Sequence, residues 1–248
     1  MSMPADGLAP AIVYVAREST VWQWPLVEML RYWVSPWSSP SSPFRRRLSG
    51  KTVVCVSDTH GHHRSLDVPD GDILIHAGDY TLFGDRDGAV DFNAWLGDIR
   101  NRFKAIVVVQ GNHEYNAEWK REAASILSNA TLLRDECVTV DGIVMYGCEF
   151  SWACRGRNPY HDQIPADVDI IVTHCPARGY GDGNHGCPSM LARVEQLRPG
   201  LVVSGHVHGG RSVQQGRSQS LRGTTFVNAA TVESHHRLTK QPVVVRFP

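Results

Sequence analysis

The chain of 248 residues has no surplus of charge of either sign, because its 25 lysines and arginines balance its 25 aspartates and glutamates. Proteins that bind long nucleic acids usually carry a basic surplus, so a small substrate is favoured over a long polyanion. No uninterrupted run of eighteen apolar residues occurs, and no membrane-spanning helix is expected. The length suits one large globular domain, or one domain with an appendage.

Cysteine is scarce, and its spacing lacks the C-x-x-C pairs of redox or zinc motifs: six cysteines occur and none forms such a pair. The first twenty residues lack the basic start, apolar core and small-residue cleavage site of a secretory signal. Disulfides stabilise mainly small secreted domains. We therefore expect free thiols in a reducing, cytoplasmic setting.

Five short apolar segments each run directly into residues that can ligate a metal ion. These segments are 52–57, 72–77, 105–110, 169–173 and 201–204. Short runs rich in Val and Ile are typical of strands buried on both faces. The polar residues that follow them are Asp58, His60, Asp79, Asn112, His113, Glu114, His174, His206 and His208. Because open α/β sheets bind ligands beyond the carboxyl ends of their strands, these side chains are predicted to converge on one metal-dependent hydrolytic site.

Each of these residues has an ordinary interpretation when it is taken alone. Asp58 could be a helix cap or a turn residue, and a lone histidine such as His174 is more often a hydrogen-bonded core residue. The whole series favours the metal interpretation. In an extended loop, the i, i+2 spacing of Asp58 with His60, and of His206 with His208, points both side chains of each pair the same way. Mixed His, Asp and Asn donors without thiolate suit Mn²⁺, Fe, Zn²⁺ or Co²⁺.

The order of these motifs resembles that of the calcineurin-like metallophosphoesterase superfamily, over roughly residues 52–248. Further segments resemble its branch of small metallophosphoesterase-domain-containing proteins, which is similar to class III cyclic nucleotide phosphodiesterases. These segments are His76–Gly84, Phe92–Gly97, Thr173–Pro176 and Val227–Ala229. The resemblance implies an α/β fold of four α-β-β-α layers, in which helices flank two packed mixed sheets.

The resemblance also implies two divalent metal ions, of which Mn²⁺ is favoured. One ion would take Asp58, His60, Asp79 and His208, and the other Asp79, Asn112, His174 and His206. A hydroxide that bridges the ions would be the nucleophile. His113 would stabilise the developing charge or protonate the leaving oxygen, so Asp79 and His113 are the predicted catalytic residues. Arg178 would bind substrate together with Asn112 and His113, although a solvated loop arginine is an equal alternative.

The expected activity is hydrolysis of a small phosphodiester, with cyclic nucleotides as the leading substrates. Two alternatives stay open: a phosphomonoesterase for a nucleotide or specialised metabolite, and a nucleotide-binding regulatory protein with weak hydrolase activity. Glu114 could orient a metal ligand, but the interpretation as an acid at a helix start is preferred. Seven histidines match no ligand position and are predicted to be structural or on the surface, with His62 and His185 bordering the pocket. They are His62, His63, His76, His161, His185, His235 and His236.

Residues 1–50 are predicted to be an appendage to a metallophosphoesterase domain formed by residues 51–248. One helical stripe is formed by Trp22, Leu26, Met29, Leu30 and Trp33, and a Pro/Ser linker follows over residues 35–43. Such a helix could lie on a membrane surface or dock a partner. Packing against its own domain, or against a second copy to form a homodimer, is preferred because tryptophans at helical spacing usually bury against protein.

The remaining segments predict alternating elements that would complete the domain. Helices are expected over 87–103, 117–128 and 188–197, with Asp87 as the cap of the first. A hairpin is expected over 137–147 around Asp141-Gly142, the signature of a type I′ turn. The last strand is expected over 243–247.

Overall fold

The structure, a computed structural model, describes residues 47–248 and the backbone of two strands that precede them. The strands are β1 Ile12–Val15, β2 Leu30–Trp33, β3 Thr52–Val56, β4 Ile73–His76, β5 Ala105–Val108, β6 Thr131–Leu132, β7 Glu136–Val140, β8 Ile143–Gly147, β9 Ile170–Val172, β10 Leu201–Ser204, β11 Ser212–Gln215, β12 Thr225–Asn228 and β13 Val243–Arg246. The α-helices are α1 Arg86–Ile99, α2 Asn112–Tyr115, α3 Ala123–Ile126, α4 Pro159–Asp162 and α5 Pro188–Leu197. Short 3₁₀ turns include Arg100–Arg102, Glu118–Glu122 and Ser234–His236.

The strands form two mixed sheets. The first has the order β2-β1-β13-β3-β4-β5-β6, and its strands from β3 to β6 run parallel. The second has the order β11-β12-β10-β9-β8-β7, with a parallel centre and an antiparallel strand at each edge. The five strands predicted to precede metal ligands are confirmed as β3, β4, β5, β9 and β10.

Three buried clusters show that the sheets and helices are stacked in four layers. The first cluster joins residues of both sheets, such as Val53 and Val203, and therefore lies between them. The second packs the other face of the first sheet against α1 through Phe92, and the third packs the second sheet against α5 through Met190. Alternate residues of one strand serve different clusters, since side chains of a strand alternate between its faces. The predicted α-β-β-α architecture is confirmed.

Local details differ from the sequence prediction at the helix starts. Helix α1 is capped by Asp85, whose carboxylate accepts the N–H of Gly88 at 2.7 Å, and not by Asp87. The helix predicted over 117–128 is split into a 3₁₀ turn and the four-residue α3. The hairpin and helix α5 are confirmed, and both Asp141 and Gly142 have the positive φ of a type I′ turn.

The helix predicted across residues 22–33 is wrong for Leu30–Trp33, which form strand β2. This strand pairs with β1, and β1 pairs with β13 of the first sheet. Tyr and Trp fit a pleated strand well, so pairing overrides a helical spacing. The rest of the stripe and the linker 35–43 lie outside the described residues, and the boundary at residue 50 stays a prediction. Among the described residues no helix combines the length and apolarity needed to cross a membrane.

Candidate metal centre

The centre lies where the carboxyl ends of parallel strands from both sheets meet. Loops after β3, β4 and β5 supply residues from the first sheet, and loops after β9 and β10 supply residues from the second. The two sheets are joined here by a direct contact, because the backbone N–H of His206 lies 3.0 Å from each carboxylate oxygen of Asp58. The predicted convergence on one crevice is thus realised in the fold.

A first donor group consists of Asp58, His60 and His208, whose ligand atoms all lie within 4.8 Å of one another. The Nε2 atom of His208 is 3.3 Å from Oδ1 of Asp58 and 3.3 Å from Nε2 of His60. The Nδ1 atom of His60 lies 3.2 Å from the carbonyl oxygen of Thr81, which orients the ring so that Nε2 points into the group. Such an orienting contact is usual for a histidine that binds metal.

A second donor group consists of Asp79, His174 and His206, with ligand atoms again within 4.8 Å of one another. Asn112 belongs beside it, since its Oδ1 atom is 2.9 Å from Nδ1 of His206 and 3.2 Å from Nε2 of His174. The other ring nitrogen of His174 lies 2.7 Å from the carbonyl oxygen of Ala77. This group therefore offers a carboxylate, an amide oxygen and two imidazoles, of which that of His174 is oriented by a backbone carbonyl.

Asp79 adjoins both groups. Its Oδ2 atom is 3.2 Å from Nε2 of His174 in the second group and 3.9 Å from Nε2 of His60 in the first. Oδ2 of Asp79 thus lies near a donor of each group, as a residue shared by two cations requires. Its neighbour Gly111 must remain glycine here, because an added Cβ would overlap Oδ1 of Asp79.

Several of the donor residues adopt backbone conformations that are rare for residues with side chains. Asp58, His60, Asp79 and His206 have φ values of 54°, 42°, 55° and 66°. Left-handed conformations of such residues are uncommon and cluster at functional sites, where the surrounding structure must hold them. The strand ends thus turn sharply toward the crevice.

The electrostatics of the centre favour bound cations. Burial opposes ionisation of Asp58 and Asp79, but neighbouring histidines outweigh it and lower the pKa of both carboxyls. Burial lowers the pKa of His60 and of His206 to about 4, so both imidazoles are neutral. Against burial, the charge of Asp79 raises the pKa of His174 to about 9, and a metal ion would take the place of that proton.

The donor set fits two divalent ions of borderline hardness. It comprises two carboxylates, one amide oxygen and four imidazoles, without thiolate, as Mn²⁺, Fe, Zn²⁺ or Co²⁺ sites accept. Cys175 follows a donor directly, but it is buried, and burial raises the pKa of its thiol to about 12. Its side chain belongs to the third buried cluster, and it is a member of neither donor group.

His113 lies at the edge of both groups without belonging to the ligand set predicted for either ion. Its Nε2 atom is 3.7 Å from Oδ2 of Asp79, and its ring meets that of His60 edge-on at 4.7 Å. Its backbone N–H donates to Oδ1 of Asp79 at 3.0 Å, and its side chain is 17% exposed. An imidazole in this position can reach a substrate that enters from solvent.

Glu114 has a larger part in the centre than its sequence position indicates. It is fully buried and accepts hydrogen bonds from the backbone N–H groups of Asp79, Thr81 and Gly111 and from the hydroxyl of Thr81. Glu114 does lie in the first turn of α2, as the preferred interpretation expects. It also orients a metal ligand, because it binds the backbone of Asp79. The spacing carries no signal for this, because three of its four donors come from the loop after β4.

The sequence predicts that His236 is a structural or surface residue, but its ring contacts the centre. Its ring lies 4.1 Å from that of His60 and 5.8 Å from that of His113, and these three histidines form a third group of clustered ring nitrogens. No motif marks this residue, since it lies in the turn Ser234–His236 and does not directly follow a strand. His62 and His185 are exposed, and neither is a member of a donor group among the described residues.

Arg178 is placed on an exposed loop after β9. Its backbone N–H donates to the carbonyl of Cys187 at 3.2 Å, and among the described residues its guanidinium contacts none of the donors. The predicted substrate-binding role of Arg178 stays a prediction. The centre as folded thus joins the seven predicted metal ligands and His113, but not this arginine.

Comparison with known proteins shows which family the chain resembles. A family model described as calcineurin-like phosphoesterase matches residues 51–210. The Caenorhabditis elegans proteins UPF0046 protein K07C11.7 and UPF0046 protein C25E10.12 are each 34% identical to this chain, covering 79% of it and 75% and 80% of their own lengths.

Human metallophosphoesterase domain-containing protein 1 is 31% identical, covering 86% of this chain and 74% of its own length. The superfamily and the branch predicted from the motifs are both confirmed. With this donor set and these relatives, the chain belongs to the calcineurin-like phosphoesterases, a family of metal-dependent phosphoester hydrolases.

Proposed function

We propose that the chain hydrolyses a small phosphodiester with the help of two divalent metal ions, with cyclic nucleotides as the leading candidates. The observation that carries the proposal is the pair of adjoining donor groups on either side of Asp79. Mn²⁺ is the proposed native ion, and Fe, Zn²⁺ and Co²⁺ are alternatives that the donor chemistry also accepts. All six cysteines are free, which supports a reducing, cytoplasmic setting.

Asp58, His60 and His208 would hold one ion, and His174, His206 and Asn112 the other, with Asp79 shared between them. When bound, ions of this kind would neutralise phosphoryl oxygens and lower the pKa of a water molecule that could serve as the nucleophile. The protein contributes the orientation of the donors, which backbone carbonyls and buried neighbours fix in advance. Precise placement of this kind is what such centres require for catalysis.

His113 is proposed to donate a proton to the leaving group. Its ring nitrogen lies within 3.7 Å of Asp79 and is partly open to solvent, so a bound ester could come within hydrogen-bonding distance. As an imidazolium it would donate a proton to the leaving oxygen as the ester bond breaks. As a neutral donor it would stabilise charge on a phosphoryl oxygen.

A diester is favoured over a monoester by the charge of the centre. The basic side chains in contact with the carboxylates of Asp79 and Asp58 are histidines, since the Nε2 atoms of His174 and His208 lie 3.2 Å and 3.3 Å from their oxygens. A monoester dianion carries one more negative charge than a diester, and cationic side chains usually neutralise it. Arg178 would supply that charge only if its loop folded over the centre.

The decisive experiment compares substrates on chelator-stripped protein to which each metal is returned. We expect bis-p-nitrophenyl phosphate and cyclic nucleotides to be hydrolysed faster than p-nitrophenyl phosphate, with bound metal approaching two ions per chain. Turnover by metal-free protein, or a stoichiometry that never exceeds one, would contradict the dinuclear proposal. A strong preference for p-nitrophenyl phosphate would instead assign the chain to the monoesterases, and Arg178→Ala would then be expected to raise KM.

A further inference from the structure

A cavity of about 280 Å³ opens beside the second donor group. Aromatic and acidic side chains dominate its lining, which includes Tyr115, Phe150, Trp152, Tyr160, Asp135 and Glu149. The ring of Phe150 lies 5.6 Å from that of His174 and 5.8 Å from that of His206, and the ring of Trp152 lies 5.6 Å from that of His206. An ester held by the donor group can therefore extend one of its substituents into this cavity.

The aromatic rings of the cavity meet at steep angles. Phe150 and Trp152 are edge to face at 79°, with centroids 5.1 Å apart, and Tyr115 meets Phe150 at 58°. A flat base is best held between parallel rings, whereas rings that face inward from several directions attract a compact cation through their electron-rich faces. Trp152 is also 65% exposed, which leaves the most effective of these ring types open to a ligand.

The charge of the lining is negative. Asp135 accepts the backbone N–H of Glu149 at 3.1 Å, while the Glu149 carboxylate has no hydrogen bond or ion pair within the described chain. His161, the basic side chain of the lining, is neutral because burial lowers its pKa. Lys120 holds its ammonium 3.9 Å from the centre of the Tyr115 ring but does not line the cavity. Asp135 and Glu149 thus bring two carboxyl groups to the lining, and no lysine or arginine is among the described residues that line the cavity.

We propose that this cavity binds a quaternary ammonium group carried by the substrate, so that among small phosphodiesters the chain acts on those of the choline type in preference to the cyclic nucleotides that the family resemblance suggests. The inference rests on the proposed function, since the phosphate would be held by the adjoining donor groups. The volume lies just under the range of about 300–1,000 Å³ that is usual for whole ligands, as expected for a site that takes one substituent. Trp152 supplies the ring face and Glu149 the opposing charge.

The test compares two esters of equal shape on the full-length, Mn²⁺-loaded protein. One is p-nitrophenyl phosphorylcholine, and the other is p-nitrophenyl 3,3-dimethylbutyl phosphate, in which a neutral carbon replaces the charged nitrogen. We expect kcat/KM to favour the choline ester by about 3- to 30-fold, the range between an exposed and a desolvated cation–aromatic contact. Trp152→Leu and Glu149→Gln should each reduce this ratio at least threefold. Glu136→Gln, on exposed residue 136 of β7 outside the lining, is the matched control and should leave the ratio unchanged.

The other outcomes separate a failure of this inference from a failure of the proposed function. Equal rates for the two esters would overturn it, and so would a preference that survives both cavity variants. A Trp152-dependent preference for thymidine 5′-(p-nitrophenyl phosphate) over the choline ester would assign the cavity to a nucleobase instead. If neither of the two esters nor bis-p-nitrophenyl phosphate is hydrolysed, the proposed function fails. Calorimetric titration with tetramethylammonium then decides the cavity alone: binding weakened by Glu149→Gln supports it, and absence of binding refutes it.

Discussion

Asn228 is the residue whose replacement gives the sharpest test of how the fold holds the centre. Its side chain is buried at the end of β12, and its Nδ2 atom lies 2.7 Å from the carbonyl oxygen of Gly181, 3.0 Å from that of Val207 and 3.3 Å from that of Gly205. Its Oδ1 atom accepts the N–H of Ala230 at 3.1 Å. Two of these partners flank His206, so Asn228 fixes the loop that supplies one histidine to each donor group.

Asn228→Ala removes the hydrogen bonds that the Asn228 side chain makes with these backbone groups. An intramolecular hydrogen bond contributes about 0.5–1.5 kcal/mol, and an unpaired buried group costs about 1–3 kcal/mol. Because the 3.3 Å contact is weak, we count three effective bonds and expect the free energy of unfolding to fall by about 2–4 kcal/mol. The loosened loop should weaken metal binding about 10- to 100-fold, the usual effect of removing a residue that orients ligands.

The measurements are urea unfolding of the chelated protein and Mn²⁺ titration of the folded protein. The control is Asn129→Ala, because Asn129 donates to the carbonyl of Asn93 at 2.9 Å on the helical side of the first sheet. The control should lose stability without losing metal affinity. If Asn228→Ala binds Mn²⁺ as tightly as the parent, or if the control loses as much affinity, then the loop is not positioned by Asn228 and the reasoning is refuted.

Three further predictions address the roles of single residues and of the N-terminal segment. Asp79→Ala should lower both metal content and activity, as measured by metal analysis after dialysis, and retention of two ions would show that Asp79 is not shared. The His113→Ala variant should keep its bound metal, while its turnover falls by a factor of about 10²–10⁴. The fall should be smaller for esters with more acidic leaving phenols, and loss of metal from the variant would show that His113 is a ligand. A chain that begins at residue 45 should keep metal binding and intrinsic turnover, and light scattering should reveal any lost dimer. Unfolding of that shortened chain would show that β1 and β2 are part of the core.

The sequence by itself determined the strands and the residues that end them. Buried strands such as β3 must be apolar on both faces, so they stand out as short runs of Val and Ile, and the polar residue that ends such a run is conspicuous. Asp58 and His174 were found in this way. Their convergence follows from parallel strands whose carboxyl ends share an edge, which is a property of topology that the order of elements already implies.

Only the tertiary structure decided which residues support the ligands. Glu114 and His236 reach the centre through contacts between loops that are distant in sequence, and no local period records such contacts. Pairing between strands likewise turned Leu30–Trp33 from a predicted helical stripe into β2, because the hydrogen bonds that define a strand come from another segment. The cavity beside Trp152 depends on the angles at which rings from separate elements meet, and those angles exist only once the two sheets have packed.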